Sequence, residues 1–301
     1  MPFTRSYQSV VLVKQVPDTR NVSGEVMTAN GTMNRSALPA IFNPEDLNAL
    51  EMALSIKEKH GGGLTVLTMG PLQAAEVLRE ALYRGADRVV LLSDRKFAGA
   101  DTQATSYTLK CAIDKLGEYD LVFCGRQAID GDTAQVGPQV AEKLGIPQIT
   151  YAEAIVDMQD HEIIVRRAFE LGTELVRCQL PCLLTVVGTA NRPRPASARK
   201  RIEYKMAATP NEYPRLLKHW SEFQDEQTLA EYLERRQLNI DVWTAADLNV
   251  NAADLGLAGS PTQVYKINYV VLETTDSKEI QPTPEGIQGL ITELVKEYIV
   301  G

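Results

Sequence analysis

The sequence predicts an α/β protein with a doubly wound, mostly parallel sheet, an edge meander and a C-terminal helical arm. Two observations support this fold class. Short, continuous apolar runs alternate with segments of helical period through the first half of the chain, which is typical of a parallel sheet covered by helices. Between residues 152 and 187 the apolar period shifts toward two, which is typical of antiparallel strands. The runs predicted as parallel strands are Val10–Val13, Leu64–Leu67, Val89–Leu92 and Leu121–Phe123.

The predicted helices have clear beginnings. Asn43 precedes Pro44 and the acidic pair Glu45 and Asp46, a cap, first-turn proline and acidic first turn in the usual order. A second helix is expected to begin at Pro71 and a third at Asp101.

The segment with period two is predicted to form a three-stranded meander at the sheet edge. Turns are expected at residues 160–161 and 171–172. The predicted strands are Glu162–Val165, Glu174–Val176 and Leu183–Val187.

A domain boundary is predicted near residue 190, because residues 192–201 are basic, contain prolines and lack periodicity. Residues 1–190 would form a nucleotide-binding domain, and residues 191–301 a linker and a C-terminal arm. The basic stretch is either a solvated linker or a docking surface. An apolar stripe near the end of the arm could pack on another chain; it comprises Ile287, Leu290, Ile291, Leu294, Val295, Tyr298 and Ile299.

Composition excludes several classes of protein. A net charge of -8 over 301 residues argues against nucleic acid as a main partner. No apolar run approaches the length of a membrane span, and the start of the chain is too short in apolar residues for a signal peptide, so we expect a cytoplasmic protein without membrane insertion. The four cysteines contain no C-x-x-C pair, which favours buried thiols over a metal site.

Residues 125–138 carry the strongest functional signal, because they follow a predicted strand and lead into a helical pattern. Gly125 and Gly131 would let the backbone approach a ligand closely. The free N–H groups of a helix beginning near Thr133 would favour a pyrophosphate. An ordinary loop and helix start explains the same residues, and neither a Walker A motif nor the Rossmann glycine pattern is present.

The acidic residues of this loop need their own explanation, since they would repel phosphate. Asp132 is predicted to cap the helix, with Gln135 completing a pair similar to a capping box. Asp130 is then available for a ribose or for a structural bond. No catalytic triad and no set of metal ligands is evident in the sequence.

Over residues 9–205 the chain resembles the small (beta) subunit of electron transfer flavoproteins. Three separate motifs carry the resemblance: Val13–Thr19, Asn43–Asp46 and the loop at 125–138. The resemblance implies an adenine nucleotide alpha hydrolase-like α/β domain paired with a larger alpha subunit that carries FAD. It also implies a nucleotide site formed by Leu12, Asn43, Pro44, Glu45, Asp46, Met69, Gly125, Arg126, Gln127, Ala128, Ile129, Asp130, Gly131, Asp132, Thr133, Ala134, Gln135 and Val136.

The loop sequence is similar to that of the electron-bifurcating group, whose beta subunits hold a second FAD where respiratory-type members hold AMP. Small residues at positions 131, 133 and 134 leave room for a diphosphate that continues into a flavin. The resemblance therefore implies FAD in this site, with AMP as the alternative occupant. It also implies NADH as the hydride donor, with ferredoxin or flavodoxin and an FAD-dependent dehydrogenase as the electron acceptors.

Three regions bear on these expectations. The region that matches the family's recognition loop, residues 195–201, lacks a large apolar side chain, and the insertion around 214–238 has no assigned role. Residues 259–264 resemble a motif in the C-terminal arm of the bifurcating group, although a plain turn before a strand explains them equally well. A stand-alone adenine-nucleotide-binding protein of the same fold is a further alternative. The sequence does not identify the dehydrogenase, its substrate or the low-potential acceptor.

Overall fold

The computed structural model describes residues 5–18, 39–220, 222–262, 278–297 and 299. The chain forms two compact units, residues 1–264 and 265–301. The first unit contains a nine-stranded sheet and, beside it, a short antiparallel pair. The predicted division at residue 190 stays a prediction.

The strands of the large sheet are β1 (Ser9–Val13), β4 (Leu64–Met69), β5 (Arg88–Leu92), β6 (Leu121–Gly125), β7 (Gln148–Gln159), β8 (Glu162–Phe169), β9 (Gly172–Gln179), β10 (Cys182–Val186) and β11 (Asp241–Trp243). The short pair is β2 (Gln15–Pro17) and β3 (Ala40–Phe42). The helices of the first unit are α1 (Pro44–His60), α2 (Ala75–Arg84), α3 (Thr102–Leu116), α4 (Val136–Leu144), α5 (Ala198–Glu203), α6 (Tyr213–Leu217) and α7 (Glu226–Arg235).

The sheet order is β11-β5-β4-β1-β6-β10-β7-β8-β9, and every pairing from β11 to β7 is parallel. Alternate residues of β1 point to opposite faces: Val11 packs in one core with α1 and α2, whereas Val10 packs in another with α3 and α4. Helices therefore cover both faces, and the doubly wound, mostly parallel sheet predicted from the sequence is confirmed. The four predicted parallel strands are also present.

The edge meander differs from the prediction in one strand. The antiparallel strands are β7, β8 and β9, whereas β10, predicted as the last strand of the meander, lies inside the sheet, parallel to both β6 and β7. All five residues of β10 are buried. The run at Leu183–Val187 does not alternate, which is typical of a strand covered on both faces.

The segment after residue 190 is held against the first half of the chain. The Arg194 guanidinium donates hydrogen bonds to the carboxylates of Glu51 and Glu58 on α1. The predicted insertion forms α6 and α7 around a small core that includes Leu229 and Leu233. β11 joins the large sheet beside β5. The residues between 190 and 262 thus add to the first unit.

The C-terminal unit contains one described helix, α8 (Pro284–Lys296). Ile287, Ile291 and Val295 on α8, and Ile299 beyond it, are at least half exposed. Leu290 and Leu294 are partly exposed, and Tyr298 lies outside the described residues. The members of the predicted stripe that the structure describes are therefore exposed or partly exposed.

Helix α4 packs close to the sheet at its first turn. A Cβ atom added to Gly137 would lie 2.7 Å from Sγ of Cys124 and 2.8 Å from Cγ2 of Thr185. We expect Gly137→Ala to lower the free energy of unfolding by about 1–3 kcal/mol, measured by urea denaturation of the full chain, because the extra methyl group would overpack this contact.

Gly131→Ala, six residues earlier, is the matched control. No atom lies within 4 Å of an added Cβ at this position, so its stability should stay within about 0.5 kcal/mol of the wild type. Equal stabilities for the two variants would contradict the packing of α4 described above.

Candidate nucleotide site

A cavity of about 620 Å³ lies at the carboxyl ends of β1, β4 and β6. The chain leaves β1 toward β4 and later returns to place β6 on the other side of β1. Connections that diverge in this way open a crevice where ligands of α/β sheets bind. The residues predicted for the site that line the cavity are Leu12, Asp46, Met69, Gly125, Arg126, Gln127, Ala128, Gly131, Asp132, Thr133, Ala134, Gln135 and Val136.

The beginning of α1 holds the loop after β6 in place. The Asn43 side chain donates to the Gln127 carbonyl at 2.9 Å and accepts the N–H of Ile129 at 3.1 Å. The Glu45 carboxylate accepts the N–H of Gln127 at 3.0 Å and pairs with the Arg126 guanidinium at 3.1 Å. Asn43 stands at the predicted cap position, but its side chain makes no capping bond, because its amide is used by the loop.

Asp46 joins the ends of two strands beneath the cavity. Its carboxylate accepts the N–H of Lys14 at 2.8 Å and that of Gly125 at 2.9 Å. Burial raises the pKa of Asp46 to about 7, against the opposing effect of hydrogen bonds from Asn43, Lys14 and Gly125. Asp46 is thus a structural bridge that also lines the cavity.

Gly125 is required by the approach of α1. A Cβ atom at this position would lie 2.5 Å from Oδ1 of Asp46 and 2.7 Å from the carbonyl carbon of Glu45. The sequence suggested that this glycine admits a ligand, but the closest atoms belong to the first turn of α1. The residue is small because the helix and the strand end touch.

The loop from Ile129 to Gln135 differs from the prediction in its cap. Helix α4 begins at Val136, and Gln135 stands at the cap position without a capping bond. Asp132 instead accepts a hydrogen bond from Nε2 of Gln127 at 2.9 Å. The predicted capping by Asp132 and Gln135 is therefore wrong, since Asp132 lies in the left-handed region with φ of 50° and the chain needs three more residues to enter the helix.

This difference leaves backbone donors free at the cavity. Among the described residues, the N–H groups of Thr133, Ala134 and Gln135 have no hydrogen-bond acceptor. Ala134 has φ of 52° and Gln135 is right-handed, and backbone that alternates between left- and right-handed residues is typical of anion-binding nests. The uncapped start of α4 adds its dipole in the same place. The arrangement is suited to an anion.

The positive charge at the cavity comes from Lys14 and Arg126. The Lys14 ammonium contacts both carboxylate oxygens of Asp130 at 2.8 Å. Asp130 thus makes a structural bond, one of the two roles that the sequence left open. Asp130 holds the ammonium of Lys14, and Glu45 holds the guanidinium of Arg126. Since neither carboxylate lines the cavity, the ammonium and the guanidinium are held at the edge of the cavity.

Comparison with known proteins identifies the family. A family model described as the electron transfer flavoprotein domain matches residues 30–210. The chain is 42% identical over 291 residues to an electron transfer flavoprotein subunit beta of Thermoanaerobacterium thermosaccharolyticum, covering 97% of this chain and 99% of the relative. The chain belongs to the electron transfer flavoprotein family. Its resemblance to the beta subunits, inferred from three motifs, is confirmed.

Two further relatives of this electron transfer flavoprotein chain come from named reductase systems. The caffeyl-CoA reductase-Etf complex subunit CarD of Acetobacterium woodii is 43% identical over 258 residues, which cover 85% of this chain and 86% of the relative. The acryloyl-CoA reductase electron transfer subunit gamma of Anaerotignum propionicum is 38% identical over 301 residues, 96% and 98% of the two chains.

The cavity of this electron transfer flavoprotein chain includes a wall that the sequence motifs did not indicate. Phe97, Gly99, Ala100, Asp101 and Thr102 supply it, and Thr262 completes it. The β5 to α3 turn follows the carboxyl end of a parallel strand, so its position gave a signal for the first five. Thr262 had no such signal. The other lining residues outside the prediction are Val13, Lys14, Thr105, Leu109, Cys124 and Gly137.

The predicted site residues outside the lining are Asn43, Pro44, Glu45, Ile129 and Asp130. Contact between these residues and a ligand stays a prediction.

In the described part of the chain, no helix is long and apolar enough to cross a membrane, and no group of His, Cys, Asp and Glu residues is placed to hold a metal ion. Burial raises the pKa of the thiols of Cys124 and Cys182.

Asp46→Asn should give a stability difference that depends on pH. The pKa of Asp46 is about 7 in the folded chain, above the ordinary value of 3.8. Protonation therefore favours the folded state, and this contribution is full below the lower value and is lost as the pH rises through the higher one. The stability advantage of the wild type over the variant should shrink by roughly 4 kcal/mol between about pH 4 and pH 8.

Asp225→Asn is a control of opposite sign. The hydrogen bonds from Thr228 lower the pKa of Asp225, the cap of α7, so the advantage of the wild type over this variant should grow as the pH rises through the acidic range. Urea denaturation at each pH measures both differences. A difference for Asp46→Asn that grows with pH would mean that its carboxylate is stabilised in the folded chain.

Proposed function

We propose that this chain is the beta subunit of a heterodimeric electron transfer flavoprotein that binds FAD in the cavity and accepts a hydride from NADH. One electron would pass to ferredoxin or flavodoxin, and the other through the FAD of the alpha subunit to an FAD-dependent dehydrogenase. A bound flavin supplies the redox chemistry, because it can accept a hydride and release single electrons. The chain would then be part of an NADH-dependent bifurcating oxidoreductase.

The observation that carries this proposal is the uncapped start of α4. The free N–H groups of Thr133, Ala134 and Gln135 suit the diphosphate of a dinucleotide. Lys14 and Arg126 also line the cavity, where their charges are paired with Asp130 and Glu45. The site thus has the donors that the nucleotide needs without a glycine-rich fingerprint.

The carboxylates near the cavity each accept hydrogen bonds from the protein. Asp46 accepts two backbone N–H groups, Asp132 accepts Nε2 of Gln127, and Asp101 accepts two N–H groups at the beginning of α3. These contacts fix the oxygens in position.

FAD is favoured over AMP by the space beside the loop. No atom lies within 4 Å of an added Cβ at Gly131, and the cavity lining includes Lys14, Met69, Phe97 and Thr262. Its volume of about 620 Å³ falls in the range of pockets that bind small molecules and cofactors. A structural AMP, as in a simple electron carrier, remains the alternative, and a stand-alone adenine-nucleotide-binding protein is disfavoured by the relatives.

The relatives support the proposed direction of electron flow. CarD is named as a subunit of a caffeyl-CoA reductase-Etf complex, and the Anaerotignum protein as an electron transfer subunit of acryloyl-CoA reductase. Both names place an acyl-CoA reductase beside the flavoprotein. We propose an FAD-dependent acyl-CoA dehydrogenase or reductase as the partner of this chain, together with an alpha subunit.

Two surfaces support contacts with these partners. Ile287, Ile291 and Val295 on α8 are at least half exposed, which supports an arm that packs on the alpha subunit within residues 191–301. Ile202 on the basic helix α5 is 72% exposed. It follows directly after the recognition-loop region at 195–201 and offers the apolar contact that those residues lack.

The proposed hydride transfer can be tested on the purified complex of this chain with its alpha subunit. Under anaerobic conditions, NADH should bleach the flavin absorbance near 450 nm by an amount that accounts for at least one of two flavins per complex. This expectation follows from the ability of a flavin to accept a hydride. NADPH at the same concentration is the comparison for nucleotide selectivity.

Failure of NADH to bleach any flavin, in a complex that dithionite reduces fully, would contradict the proposal and leave a simple electron carrier. Bleaching that requires a dehydrogenase substrate instead of NADH would have the same meaning.

A further inference from the structure

Residues 256–262 lie along the cavity wall formed by residues 97–102. The N–H of Leu257 donates to the Ala98 carbonyl at 3.0 Å. A Cβ atom added to Gly256, which has φ of 51°, would lie 2.2 Å from the Lys96 carbonyl oxygen. Backbone packs directly on backbone here, and we call residues 256–262 the strap.

The strap is fixed to the wall through Ser260. The Ser260 hydroxyl accepts the N–H of Asp101 at 2.8 Å and contacts the Gly256 carbonyl at 2.7 Å. The Ser260 hydroxyl therefore joins the turn of the strap to Asp101, the residue that caps α3. The contact spans 159 positions in sequence, so it fixes two distant segments relative to each other.

A second connection runs through Thr262. Oδ2 of Asp101 accepts the N–H of Thr262 at 3.0 Å and its hydroxyl at 2.6 Å. Oδ1 of Asp101 caps α3 by accepting the N–H groups of Gln103 and Ala104. The same carboxylate thus holds the strap with one oxygen and the helix with the other.

The charge state of Asp101 suits this role. Burial raises the pKa of Asp101, but the hydrogen bonds from Thr262, Ala104 and Gln103 outweigh it and hold the pKa below the ordinary value. An ionised acceptor makes stronger hydrogen bonds than a neutral one. The connection is therefore present throughout the neutral range.

Asp101 and Thr262 both line the cavity, together with Gly99 and Thr102 from the same wall. We propose that Ser260 and Thr262 are positioning residues for the nucleotide site: they hold Asp101 and the wall at 97–102 against the bound cofactor. This inference rests on the proposed function for the identity of the ligand. The inference gives residues 259–262 of the segment at 259–264 a role inside this subunit. Residues 263 and 264 lie outside the described residues.

A consequence is that nucleotide binding and the placement of the strap are linked. A ligand that contacts the wall stabilises the strap, and a fixed strap stabilises the bound ligand by the same factor.

Thr262→Val tests the proposal, because it removes the hydroxyl and keeps the size of the side chain. Thr262→Ser restores the hydroxyl. Thr244→Val is the matched control, since the N–H and hydroxyl of Thr244 donate to Oδ2 of Asp247 in the same way, at 2.8 and 2.7 Å, and Thr244 does not line the cavity.

Two measurements are made on the full chain in complex with its alpha subunit. Hydrogen exchange of the peptide covering residues 95–105 is compared with and without added FAD. Release of nucleotide is followed by the fluorescence of freed FAD, with AMP analysed in parallel. We expect faster exchange of the 95–105 peptide in Thr262→Val and about tenfold faster release, the effect of losing one charge-assisted hydrogen bond. Thr262→Ser and Thr244→Val should match the wild type.

Exchange and release in Thr262→Val equal to those in Thr244→Val would overturn the proposal. Recovery by Thr262→Ser excludes a general loss of folding as the explanation. If the wild-type cavity retains neither FAD nor AMP, the proposed function fails, whereas the exchange comparison without nucleotide still decides whether the strap holds the wall.

Discussion

The site depends on the contact between the beginning of α1 and the ends of β1 and β6. Asp46 bridges the backbone of the two strands, and Asn43 and Glu45 hold the loop that follows β6. The beginning of α1 can do this because its side chains hydrogen-bond to the neighbouring backbone N–H and carbonyl groups. The short sequence Asn43–Asp46 therefore acts mainly as a support, and its one residue in the cavity lining is also the bridge. Without this support the loop would have few contacts to keep its free N–H groups in place.

Much of the fold follows from local pattern. Continuous apolar runs gave the central parallel strands, and the order Asn, Pro, Glu, Asp gave the beginning of α1. Two predictions were wrong, one at a helix cap and one at a strand. Asp132 has the composition of a helix cap, but its backbone is left-handed and its carboxylate bonds to Gln127. The strand β10 was predicted as part of the meander, but its apolar run is continuous and all its residues are buried.

The site was predictable to a similar extent. The loop at 125–138 and the strand ends were found because ligands of parallel sheets bind at the carboxyl edge. Thr262 could not be found this way, since it reaches the cavity by a contact with Asp101 that spans 161 positions in sequence. The roles of Asn43 and Glu45 were also beyond the sequence. A sequence motif does not distinguish a residue that holds a binding loop in place from one that touches the ligand.

The central claim is that this cavity holds a second flavin. The most direct measurement is the mass and absorbance spectrum of the nucleotides released when the purified complex with the alpha subunit is denatured. The account predicts two FAD molecules per complex and no AMP, because the free N–H groups and the open space beside Gly131 suit a dinucleotide. One FAD and one AMP per complex would contradict it.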